Sequence, residues 1–156
     1  MPKPYKQKPI ENNFVEDAPT YFYSGNAAIP LSELTSIQKM KIIRGGVSKN
    51  YLEDFKRQAG LDYDTLARAL GVTRSTLINK KANMQFNDQL AERIIALADL
   101  YSFGYEVFGD EANFNHWMAA TNQALNGLSP LDFIDNQYGR DEIRNLIGRI
   151  AYGVYS

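Results

Sequence analysis

From Pro30 onward, apolar residues recur at i, i+3 and i+4, the spacing of helices that bury one face. Ser32 is a candidate cap for a helix over about 33–44, with Leu34, Ile37, Ile42 and Ile43 inward and Gly45-Gly46 as its stop. Ser48 opens a second helix in which Tyr51, Leu52, Phe55 and Ala59 share a face, closed by Gly60. Asp62 starts a third, with Leu66, Ala67 and Leu70 inward, stopped by Gly71. Thr73 caps a short fourth that the pattern carries to about Lys81. A long amphipathic helix is expected from Asn87 to about Val107, with Leu90, Ile94, Leu97, Ala98 and Tyr101 on its buried side. Phe114, Trp117 and Met118 mark a further helix, and Pro130, just after Ser129, stands where a helix start tolerates proline. The last helix is expected from about Asp141 to Tyr152, with Ile143, Leu146, Ile147 and Ile150 inward and Gly153 as its end. Continuous period-two alternation is absent, so the expected fold class is all-α.

Residues 1–30 read differently. Five of the six prolines stand here, at 2, 4, 9, 19 and 30, among Asn, Gln and Lys, so a poorly ordered arm is expected. The patch Tyr21-Phe22-Tyr23 is too aromatic for a pure linker; it is expected to dock on the body or pair as a short strand.

Composition narrows the chemistry. The absence of cysteine excludes a disulfide scaffold, a thiolate metal site and a cysteine nucleophile, and fits a reducing cytosol. No apolar run approaches the ~20 residues of a membrane span, and the opening MPKPYKQKPI is too polar for a secretory signal. A cytoplasmic location without membrane partners is expected. The net charge of −1 conceals a gradient: residues 49–81 carry seven Lys/Arg against four Asp/Glu, and residues 82–156 carry four against ten. A basic segment beside an acidic one suits one nucleic-acid and one protein partner.

The segment DYDTLARALGVTRSTLINKK, residues 62–81, has the parts of a helix-turn-helix. Ala67 or Ala69 lets the second helix cross closely, Gly71 makes the turn, Val72 follows it, and Leu77 with Ile78 anchors the second helix. The other side of that helix then carries the candidate DNA-binding residues Thr73, Arg74, Ser75, Thr76, Asn79, Lys80 and Lys81. Arginine can bond bidentately to guanine and asparagine to adenine, while the hydroxyls reach base edges or phosphates. Lys80 and Lys81 are placed for phosphates, which position the helix without reading sequence. One short recognition helix makes few base contacts, so a homodimer on two half-sites about 34 Å apart is expected.

The acidic half assembles no catalytic set. His116, the only histidine, lacks a matching nucleophile and orienting carboxylate, so it is read as a surface or core-edge residue. Asp110-Glu111 is read as a helix cap, and Asp132, Asp135, Asp141 and Glu142 as capping or solvated groups whose spacing fits no hard-cation loop. No enzyme activity, metal or cofactor is expected. The tail Tyr152-Gly153-Val154-Tyr155-Ser156 either packs on its own body or offers a protein-binding segment.

Four stretches then resemble one family: EVFGD at 106–110, FNHW at 114–117, NQALNGLSPLDFI at 122–134 and IGRIAYGVYS at 147–156. Together they are similar to the C-terminal domain of Xre-type antitoxins of the MbcA/ParS/Xre group, whose cognate toxins carry the RES domain. The resemblance spans about residues 33–156 and is most specific in the C-terminal half. It implies a Xre/Cro-like helix-turn-helix region over 31–85 and a helical toxin-binding and dimerisation domain over 86–156. It further implies a type II antitoxin that blocks the active site of an NAD-consuming RES-domain toxin and represses its own operon at an operator. Carried onto this chain, the toxin-binding positions are Arg144, Arg149, Tyr152, Gly153, Val154, Tyr155 and Ser156. Leu125, Gly127, Pro130 and Leu131 are structural members of the motif. The reading set against it is a stand-alone dimeric helix-turn-helix repressor without a toxin partner.

Overall fold

The computed structural model describes residues 14–15, 18–24 and 26–153. It is mostly helical, as expected. α1 spans Ser36–Gly45, α2 Lys49–Ala59, α3 Tyr63–Leu70, α4 Arg74–Ile78, α5 Asp88–Phe108, α6 Glu111–Ala119 and α7 Gln137–Ala151. Short 3-10 turns at Leu31–Glu33, Gln123–Leu125 and Pro130–Phe133 make three of the connections.

Most helix starts fall where a small polar residue offers its side chain to an unpaired backbone N–H. Ser48, Asp62, Thr73, Asn87 and Asp110 cap α2 to α6. Two expected starts shift. Thr35 rather than Ser32 caps α1, in a reciprocal pairing with Gln38, because Leu31–Glu33 already closes a separate turn. Ser32 instead donates its backbone N–H to Ser102 Oγ at 3.0 Å. The later start of α1 also turns Ile37 outward, 61% exposed, while Ile42 is buried. α7 begins one turn before Asp141, since Asn136 accepts the Gly139 N–H at 2.9 Å.

The arm differs from expectation over residues 18–30. β1 (Phe14–Val15), β2 (Ala18–Ser24) and β3 (Ala27–Pro30) form an antiparallel sheet in the order β1-β2-β3, with Phe22 opposite Ile29. Tyr21-Phe22-Tyr23 thus pairs as a strand and also docks. Tyr51 Oη donates to Pro19 O at 2.8 Å, Ser102 Oγ to Thr20 O at 3.3 Å, and Tyr21 Oη to Glu106 at 2.9 Å. Helix side chains therefore supply bonds that a lone hairpin would leave to water. Burial, then the charge of Asp99, pushes the Tyr51 phenol well above its ordinary pKa, so it remains a neutral donor.

The core is organised around α5. Leu90, Ala91, Ile94, Ile95, Leu97, Ala98, Leu100 and Tyr101 are all buried, so this helix is covered on nearly every side by α1, α2, α3, α6, α7 and the sheet. Its C-terminal half carries an edge-to-face aromatic cluster. Tyr101 meets Phe55 and Phe114 with ring centres 5.3 Å apart, and Tyr105 meets Phe114 at 5.4 Å. Gly104 admits the Phe114 ring against the α5 backbone, where a Cβ would overlap it.

α7 is seated by the segment before it. Asn126 and Gly127, both at positive φ, turn the chain so that Asn122 N–H bonds Leu128 O at 2.9 Å. Ser129 and Asp132 then cap each other across the Pro130 turn, and the Ser129 N–H and hydroxyl hold the Asp132 carboxyl below its ordinary pKa of 3.8. Gly139 lies so close to the Phe133 carbonyl that any Cβ would collide with backbone.

Gly139→Ala is expected to destabilise the chain by about 1–3 kcal/mol, because backbone must move to admit the methyl; an unchanged urea midpoint would contradict this. The Asp132 contribution is present above its ordinary value of 3.8 and is lost as pH falls through the lowered folded-state value. The stability gap between the parent and Asp132→Ala should therefore be constant near neutrality and shrink in acid, as urea titrations at several pH values would show.

Candidate functional site

Two regions carry the chemistry, one at each end of the molecule's central helix. The first is the helix-turn-helix. Ala67 and Ala69 are both buried where α3 meets its neighbours, Gly71 takes the left-handed conformation at φ +68°, and Leu77 is fully buried. Thr73, Arg74, Ser75, Thr76 and Asn79 are left exposed together.

The hydroxyls are organised locally. Thr73 Oγ1 lies 2.8 Å from Thr76 Oγ1 and 3.2 Å from Ser75 Oγ. Arg74 sits 3.6 Å from Asp64, with both side chains exposed. An exposed pair of this kind is worth roughly 0–1 kcal/mol, so the guanidinium is free to exchange partners at little cost.

The second half of the expected recognition helix is corrected. α4 stops at Ile78 rather than near Lys81, so Asn79 ends the helix and Lys80 and Lys81 lie in the following loop. Ile78, expected as an anchor, is 39% exposed; Leu77 alone fills that role. The cause is the hold that the α2 entry has on the loop. Lys49 and Asn50 N–H bond the Met84 and Ala82 carbonyls, and Phe86 N–H bonds Val47 O. Lys80 rests over the Phe86 ring at 5.8 Å, and Lys49 Nζ donates to Ile78 O at 2.6 Å. The ammonium of Lys49 thus satisfies a terminal carbonyl at the negative end of α4. Nothing in the local motif points to Lys49, which lies in a different helix.

The second region is the end of α7. Arg144 Nη2 is 3.1 Å from Asp99, and its guanidinium lies over the Phe103 ring at 5.2 Å. Asp99 is shared with Lys39 at 3.0 Å, so one half-buried carboxylate joins α1, α5 and α7. Arg149 is 3.6 Å from Glu142 on its own helix, while its Nε is buried with no hydrogen-bond partner among the described residues. Arg144 and Arg149 line one open groove with Phe103, Glu142, Asn145, Gly148 and Tyr152. Tyr152 is 86% exposed, and Gly153 turns the chain at φ +68°. Three of the candidate tail positions, Val154, Tyr155 and Ser156, lie outside the described residues.

The remaining candidates take structural places. Asp110 accepts from Asn113 N–H, and His116 is exposed on α6. Leu125 and Pro130 are buried beneath the turn that leads to α7, and Leu131 packs partly against the core. Ion-pair and backbone contacts join the two regions: Arg68 of α3 is 3.8 Å from Asp132, and Arg93 of α5 donates to Leu70 O at 3.1 Å, at the helix-turn-helix turn.

Residues 39–99 match a family model described as the Antitoxin Xre-like helix-turn-helix domain. Residues 104–153 match another, described as the Antitoxin Xre/MbcA/ParS C-terminal toxin-binding domain. Among characterised proteins, the chain is 25% identical to "Antitoxin Xre" of Yersinia enterocolitica over 116 residues, covering 73% of this chain and 78% of that protein. It is 24% identical to "Prs ADP-ribosylating antitoxin" of a Sphingobium species over 136 residues, covering 81% and 86%.

Proposed function

This chain belongs to the Xre/MbcA/ParS family of antitoxins, and on that premise we propose that it neutralises a RES-domain toxin by covering an NAD⁺-binding active site, and represses its own operon. A toxin-binding domain and a DNA-binding helix-turn-helix stand in one chain. The name of the Sphingobium relative couples an antitoxin with ADP-ribosylation, a chemistry that uses NAD⁺, and this supports a partner of that class.

The observation that carries the reading is the exposed end of α7. Arg144, Arg149 and Tyr152 line one groove there, and Gly153, Val154, Tyr155 and Ser156 follow in sequence. Two guanidiniums can pair with carboxylates of a toxin or fill the space of its substrate's phosphates. Tyrosine adds broad contact area at small entropic cost. In this arrangement the antitoxin contributes no bond-making chemistry; it inhibits by occupancy, in the cytoplasm where both partners are made. At the other end, Arg74 and the Thr73–Thr76 hydroxyls meet base edges while Lys80 and Lys81 meet phosphates. A homodimer brings two such units onto one operator.

Deleting residues 152–156 is expected to abolish neutralisation of the RES-domain toxin in a co-expression growth assay, with operator binding retained. Full neutralisation by the shortened chain would remove the tail from the mechanism. In a gel shift with its own upstream DNA, neutralising about six phosphates gives a log–log salt slope near −5. Arg74→Ala should weaken operator binding by about 1–3 kcal/mol and relax sequence choice; unchanged preference would make Arg74 a positioning contact.

A further inference from the structure

Between the two regions, α5 and α7 enclose a cleft of about 490 Å³, within the usual range of roughly 300–1,000 Å³ for small-molecule sites. Arg93 enters it from α5 and Arg140 from α7, above an apolar strip of Ala96 and Leu100. Each guanidinium is fixed by one bond to a main-chain carbonyl: Arg93 to Leu70 O at 3.1 Å, and Arg140 to Ile134 O at 3.2 Å. Neither forms an ion pair among the described residues. A guanidinium carries five N–H donors, so most of those on Arg93 and Arg140 remain for another acceptor.

The other charges do not cancel these two at contact distance. At one end Asp99 Oδ2 is held by Lys39 and Arg144, while its buried Oδ1 has no hydrogen-bond partner among the described residues. Glu92 and Asp141 also line the cleft, and both raise the Arg140 pKa, yet burial lowers it more and Arg93 adds to the lowering. Two anchored cations that repel each other suit a shared oxyanion, with planar forks that match phosphate oxygens. The two remaining carboxylates are acceptors without a proton donor among the described residues, which suits hydroxyl groups.

We propose that this cleft binds a nucleoside phosphate, its phosphate held between Arg93 and Arg140 and its ribose hydroxyls by Glu92 and Asp141. Bound there, the ligand links α7 to the residue that holds the Leu70 carbonyl at the helix-turn-helix turn. The cleft borders the α7 groove through Arg144, which lines both, but Arg93, Arg140, Glu92 and Asp141 belong to the cleft and not to the groove.

The test is calorimetric titration of the full chain with AMP, adenosine and inorganic phosphate. AMP should bind saturably, one per chain, with a Kd below about 1 mM. Adenosine and inorganic phosphate should each bind at least about tenfold more weakly, since each lacks half of the contacts. Arg93→Met and Arg140→Met should each weaken AMP by about tenfold or more, Arg140→Lys by less, and Arg57→Met, outside the cleft, not at all. AMP should also raise the melting temperature of the parent but not of Arg140→Met, a readout that exposes a misfolded variant. Absence of saturable binding by AMP, or equal binding to the parent and both methionine variants, would overturn the proposal. Equal affinity for phosphate and AMP would overturn its nucleoside part.

Discussion

The burial of α5 is the constraint on which the rest of the molecule depends. A 21-residue helix with apolar residues around most of its circumference cannot stand in water, and its neighbours exist to cover it. α1, α2, α3, α6 and α7 all pack on it, and β2 lies along α2 and α5. The helix starts beside the recognition unit and ends beside the toxin-binding unit, so two binding surfaces share a single core. Polar contacts reinforce that sharing. Asp99 gathers Lys39 and Arg144 from opposite ends, Arg68 reaches Asp132, and Arg93 reaches the carbonyl at the turn before α4. Each is half-buried or exposed and adds little alone. Their role is to fix orientation, while the aromatic cluster around Tyr101 and Phe114 supplies the larger share of cohesion.

The helices were legible because their signals are local. A capping residue, an apolar repeat and a closing glycine lie within one helix length, and α2, α3 and α5 follow them closely. The misplacements arise where a distant segment decides. Ser32 looks like a cap, but its N–H is taken by Ser102, seventy residues away in sequence, and α1 starts at the next suitable residue, Thr35. α4 stops early because Val47, Lys49 and Asn50 hold the loop after it. The sheet was half legible: the aromatic patch at 21–23 signalled docking, whereas the backbone partners on α2 and α5 had no local signature.

The candidate sites divide in the same way. Thr73 to Thr76 are exposed where periodicity places them, while Arg144 and Arg149, which the family resemblance singles out, are half-buried. Lys49 was missed because its contact to α4 crosses between helices, and the pairing of Arg93 with Arg140 was missed because α5 and α7 are far apart in sequence. Periodicity is silent on Gly104, Gly139 and the Ser129–Asp132 cap, whose roles need the tertiary neighbours: Gly104 admits Phe114 of α6, while Gly139 and the cap seat α7.

If α5 makes the two binding regions one body, they must unfold together. Equilibrium urea unfolding followed by the fluorescence of Trp117, the sole tryptophan and part of the Phe108–Phe114 cluster, and by far-ultraviolet circular dichroism tests this most directly. A shared core predicts one transition with the same midpoint by both probes. A circular dichroism curve in two steps, with Trp117 following only one of them, would show that the helix-turn-helix and the toxin-binding region are independent units and that α5 does not bind them into one.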